Sequence, residues 1–151
     1  GGTMAAGHSR RIARRTRARL RSIALGLGLS QIVVATAMVY FHRCAEQWAR
    51  EAARDVPPHR SQDMAVACLF LAAKVEEHQQ RIRDVLNVTH LVDRGEELSD
   101  STLYWRLKEQ LLRDEQLVLR DLAFNMDTQP AHRTLLAFAL ELHLTRSVVQ
   151  L

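Results

Sequence analysis

The sequence predicts an all-α fold, and three observations carry that prediction. Proline and glycine are scarce, 3 and 6 residues among 151, so long stretches run without a helix breaker. Apolar residues recur at three- and four-residue spacing in one segment after another. Nowhere does the alternation of a half-buried strand persist. The length suits one compact domain or one unit of a larger two-domain protein.

Taken in order, the segments divide as a basic, disordered leader over 1–11, a helical domain over 12–128, and a linker with the first helix of a further repeat over 129–151. The first helix is expected at about 12–25 and the second at about 31–50. Across both runs a stretch without formal charge, SIALGLGLSQIVVATAMVYF (22–41), framed by Arg21 and by His42 and Arg43, is long enough to span a bilayer and is preceded by arginines. Gly26, Gly28 and Ser30 interrupt it: the glycines lower helix propensity and Ser30 suits an N-cap. Two helices of a buried core are therefore expected instead of one membrane span. In the second, Ile32, Ala35, Val39 and the run 41–44 recur at near-helical spacing, and Glu46, Gln47 and Arg50 make its far end polar.

Pro57 and Pro58 end that helix. A third is expected at 62–77, with Met64, Cys68, Leu71 and Val75 in one stripe and Ala65, Ala67, Ala72 and Ala73 on its other sides. A helix that is apolar or small nearly all round belongs at the centre of a domain. A fourth, at about 82–92, puts Ile82, Val85, Leu86 and Thr89 on one face. A polar loop over 93–100 leads to a fifth, starting at Ser101 or Thr102 and carrying Leu107, Leu111, Leu112, Val118, Leu119 and Leu122. A further helix is expected over 131–144.

Composition and motifs weigh against an enzyme. The seven histidines are scattered, and His42 with Cys44 offers two metal ligands and no second pair. No serine occupies a nucleophile elbow, and Gly26-Leu27-Gly28 lacks the third glycine and the preceding strand of a dinucleotide fingerprint. No catalytic residue, metal or cofactor is therefore expected. Cys44 and Cys68 lie in apolar helical segments and form no disulfide framework, which suits a reducing compartment. The formal charge of +4 is unevenly placed: Arg10, Arg11, Arg14, Arg15, Arg17, Arg19 and Arg21 crowd the start. Such an arm can serve as a nuclear-import address or a nucleic-acid contact, RNA among them, or be a solvated helix face.

Two charges stand out. Lys74 sits in the most apolar helix, and Glu115 is flanked one turn away by Leu111, Leu112, Val118 and Leu119. A lysine so placed snorkels to the surface or finds a carboxylate. Two readings stand: an intramolecular pair at the domain edge, or a charged spot within an apolar patch that meets a partner.

Several runs resemble a known family. LFLAAKVEE (69–77) resembles the signature of the cyclin box, a five-helix domain with a central third helix. LSQIVVATAMVYFHR (29–43) is similar to the second helix of transcription-associated cyclins. RIRDVLNV (81–88) is similar to the fourth helix of L-type cyclins, with the T and K types next. EQLVLRDLAF (115–124) resembles the end of the fifth helix and the turn after it. The matches fall in order over about 14–133, and 12–128 is then the N-terminal cyclin box, with a second box barely begun by Leu151. The resemblance implies a regulatory subunit that binds and activates a cyclin-dependent kinase, acts in transcription (RNA polymerase II phosphorylation) or RNA processing, and resides in the nucleus. The family's charged kinase contacts fall on Lys74 and Glu115, and its apolar ones on Leu71, Val75, Leu119 and Met126. His42 departs from the aspartate of mitotic cyclins, and the arginine-bearing first helix matches no family motif. A second reading is a cyclin-fold transcription initiation factor that binds DNA or polymerase without a kinase; the Lys74 and Glu115 pair weighs against it.

Overall fold

The computed structural model describes residues 2–52 and 61–128, which form five helices: α1 (Gly2–Gly26), α2 (Gln31–Ala52), α3 (Ser61–Val75), α4 (Ile82–Arg94) and α5 (Ser101–Asp121). Among the described residues there is no strand. The proline break at 57–58 and the helix expected over 131–144 lie outside the described residues.

The first helix starts earlier than its apolar pattern suggests. α1 reaches back to Gly2, so the leader expected to be disordered is helical from residue 2. Alanine and arginine are strong helix formers, and no glycine or proline interrupts 8–25. At the other end Gly28 takes a left-handed φ of 69°. Its N–H bonds the Leu25 carbonyl at 3.2 Å, and the Leu29 N–H reaches back to Ala24 at 2.8 Å. That paired closure is a Schellman turn, and it tucks Leu29 into the core. The uncharged run is thus two core helices. No described helix is long and apolar enough to cross a membrane.

The buried face of α2 differs from the expected one. Val33, Ala37, Tyr40 and Cys44 form the innermost row, with Val34, Phe41 and Trp48 beside it, while Val39 is exposed. Nearly every side chain from 32 to 41 is apolar, so the local pattern leaves several faces equally eligible. Packing against α3 selects among them.

α3 is the central element. Every residue from Met64 to Ala73 is buried, and the helix meets α1, α2 and α5. Its alanines let the neighbouring helices approach closely, as the sequence anticipates. Inside this contact Cys44 and Cys68 are buried free thiols. Their hydrogen bond, and then burial, push the Cys68 thiol well above the usual range.

The outer elements are fixed by caps and polar ties. Gly95, at φ 75°, closes α4 through its N–H to Leu91. Asp100 caps α5 by accepting the N–H groups of Thr102 at 2.9 Å and Leu103 at 3.3 Å. The Trp48 indole donates to Asp121 Oδ2 at 2.7 Å, binding α2 to the end of α5. Arg19 grips Asp93 with two bonds of 2.7 and 2.6 Å, which docks α1 on α4.

Candidate functional site

The C-terminal ends of α3 and α5 emerge side by side on one surface, and there the two odd charges meet. Lys74 Nζ lies 2.5 Å from Glu115 Oε1 and 4.2 Å from the centre of the Phe70 ring. The partners are unequally wet: the lysine side chain keeps 40% of its exposure and the glutamate only 10%. Glu115 therefore acts as a buried anchor that holds the ammonium at the surface. An ammonium has three donors, and Glu115 occupies one of them. The other two sit at the rim of an apolar surface.

That surface is built from the end of α3 and the second half of α5. Val75, one residue beyond the lysine, is 40% exposed, and Leu112, one turn before Glu115, is 37% exposed. Leu119, one turn after Glu115, is partly buried against the core, as is Met126. Leu71 differs from the expectation of a contact residue: at 5% exposure it belongs to the core. Apolar neighbours around a held charge give the anatomy of a protein-binding patch.

The turns beside the patch are conformationally unusual. Outside glycine, positive φ occurs among the described residues at Glu77 (59°), Ala123 (51°) and Phe124 (56°), just past the ends of α3 and α5. Both helices close as α1 does: His78 N–H bonds Ala73 at 2.8 Å, and Phe124 N–H bonds Leu119 at 2.9 Å. Where α1 uses a glycine, these turns hold larger residues in the left-handed region, at a cost of roughly 1–2 kcal/mol each. Phe124 itself is 72% exposed. Strain of this kind concentrates at functional sites. Sequence reasoning did not single out Phe124 or Leu112 as contacts. The signal available for Phe124 was its place at the end of the run 115–124.

The segment after α5 is tied to α2. Tyr40, fully buried, donates its hydroxyl to the Met126 carbonyl at 2.9 Å, and Arg43 donates to the Asp127 carbonyl at 2.7 Å. Thr36 donates to Glu76 at 2.8 Å, holding the end of α3 in the same way. α2 thus positions both turns of the patch without contributing its charges to it.

The arginines of the arm divide. Arg10, Arg11, Arg14, Arg15 and Arg17 are exposed on α1. Arg19 is corrected by its surroundings: its side chain is only 17% exposed and its guanidinium is engaged with Asp93, serving the α1–α4 contact. No group of three metal-ligating side chains clusters among the described residues.

Five helices packed around a buried third helix have the architecture of a cyclin box. The cyclin N-terminal domain model matches residues 12–127, and the chain belongs to that family. It is 31% identical over 132 residues to human Cyclin-L1, covering 82% of this chain and 24% of that protein. With zebrafish Cyclin-L1 it shares 29% over 125 residues, 80% and 24% of the two chains. With Cyclin pch1 of fission yeast it shares 27% over 121 residues, 78% and 34%. The chain thus spans about a quarter of the L-type relatives it matches.

Proposed function

We propose that the chain is the kinase-binding box of a transcription-type cyclin, and that the Lys74–Glu115 patch docks a cyclin-dependent kinase and activates it. The observation that carries this reading is the unequal burial of the pair, a lysine held at the surface by a carboxylate that solvent barely reaches. The ammonium's spare donors suit backbone carbonyls of the kinase near its activation segment. The apolar side chains of Val75, Leu119, Met126 and Leu112 suit the kinase's C-helix. Gripping that helix in its inward position completes the Lys–Glu ion pair that orients ATP phosphates. Activation is then a population shift, driven by tighter binding to the active kinase. The similarity to L-type cyclins favours a nuclear kinase acting on RNA polymerase II or on RNA processing.

Reconstitution with cyclin-dependent kinases, scored by phosphorylation of a polymerase-tail peptide, tests the reading. Lys74→Glu and Glu115→Lys should each abolish activation. The double exchange restores an opposite-charge pair inside the chain but presents a carboxylate to the kinase. It should keep the parent's helical content and still fail to activate. Full activation by the double variant would show that the pair is only an internal tie.

A further inference from the structure

The outer face of α1 carries a charge that the kinase-binding reading does not use. The helix holds seven arginines and no aspartate, glutamate or lysine, whereas the whole chain is only +4. The remainder of the chain is therefore net acidic, and the positive field is concentrated on one element. At 3.6 residues per turn, Arg10, Arg14, Arg17 and Arg21 fall within about 60° of one another, a single row three turns long. Arg11 and Arg15 form a second row about 110° further round. All six are exposed, while Leu20, Ile23 and Ala24 bury the face that begins beside Arg17, on the far side of the first row from the second.

We infer that this face binds double-stranded DNA through its phosphates. Guanidinium forks pair with phosphate oxygens two bonds at a time. α1 has no tyrosine, tryptophan or phenylalanine, so it lacks the stacking platform of a single-strand binder. It has no asparagine or glutamine either, so two of the usual base-reading side chains are missing. Its shape selects among duplexes. A helix about 10–12 Å across fits the B-form major groove, whereas the A-form major groove is too narrow to admit side chains. Two arginine rows on either shoulder of one helix match two phosphate walls. α1 runs for 25 residues, about 37 Å at 1.5 Å per residue. The helical backbone sets the spacing of the rows before the ligand arrives, so ordering on binding is confined to the arginine side chains.

The test is fluorescence anisotropy of the full 151-residue chain with a short labelled DNA duplex of mixed sequence. Single-stranded RNA of the same sequence and polyglutamate are the comparison ligands. With about five phosphate contacts, affinity should fall roughly 500-fold between 50 and 200 mM salt. Arg10→Gln/Arg14→Gln/Arg21→Gln should lower the log–log salt slope by about 2.7, some 0.9 per arginine. Arg11→Gln/Arg15→Gln should lower it by about 1.8. Arg113→Gln, on the exposed side of α5, should leave it unchanged. Circular dichroism should show parental helicity for each variant. A parental slope in both arginine variants overturns the inference, and so does tighter binding of single-stranded RNA or polyglutamate than of the duplex.

Discussion

Tyr40 and Met126, 86 positions apart, are joined by one hydrogen bond that connects the middle of α2 to the segment after α5. Tyr40→Phe keeps the ring and removes the donor, leaving the Met126 carbonyl without that partner. A bond of this kind contributes about 1 kcal/mol net. The expected outcome is a loss of about 1 kcal/mol in urea unfolding with little change in m-value. Because the bond positions the segment carrying Met126, kinase affinity should also fall by a few-fold, measurable by calorimetric titration.

The charged pair should respond asymmetrically to neutralisation. Lys74→Met strands a carboxylate whose side chain is only 10% exposed, and an unsatisfied buried group costs about 1–3 kcal/mol. Glu115→Gln leaves a lysine that is 40% exposed and already reaches water. That change should cost about 0–1 kcal/mol, as for a surface pair. Denaturant melts of the two variants check the order, and equal losses would mean that Glu115 is better solvated than its burial indicates.

Much of this was legible in the sequence because local chemistry dictates it. Gly28 divides the uncharged run, the polar loop over 93–100 precedes α5, and the alanines of α3 mark the central helix. Lys74 and Glu115 stand out in the sequence as charges in apolar surroundings, whatever they pair with. What the sequence did not disclose depends on partners distant along the chain. The inner face of α2 is selected by α3, since Ile32, Val33 and Val34 are alike in apolarity. The engagement of Arg19 needs Asp93, 74 positions away. The left-handed turn at Ala123 and Phe124 had no glycine to announce it.

That turn offers a stabilising substitution. Ala123 holds the left-handed position of the α5 closure at φ 51°, where glycine is the favoured residue. Ala123→Gly relieves a strain of roughly 1–2 kcal/mol and loses part of that to the greater freedom of glycine in the unfolded chain. A net gain of about 0.5–1 kcal/mol is expected, read as a rise in thermal midpoint. Gly26→Ala should do the reverse, because its Cβ would lie 2.6 Å from Val88 Cγ1. Relieving that overlap makes either the Val88 side chain or the α1–α4 contact give way, at about 1–3 kcal/mol for overpacking.

The cysteine pair predicts a pH dependence. The Cys68 thiol is held above its usual range, first by its hydrogen bond with Cys44 and then by burial. A raised folded-state pKa means that the native protein keeps a proton which the unfolded chain releases. The associated stability is complete below the unfolded thiol's pKa, about 8.5, and is lost as pH rises above it. Above that pH the decline for one such group approaches about 1.4 kcal/mol per pH unit. Unfolding free energy measured under reducing conditions should therefore be level from pH 7 to 8, apart from other titrations, and fall between pH 9 and 10. Cys68→Ala removes the group and should flatten that limb while costing some packing at every pH. Tyr40, whose hydroxyl is raised chiefly by burial, adds its own decline only above about pH 10, so the two contributions separate along the pH axis. A Cys68→Ala variant that declines as steeply as the parent between pH 9 and 10 would assign the loss to other groups.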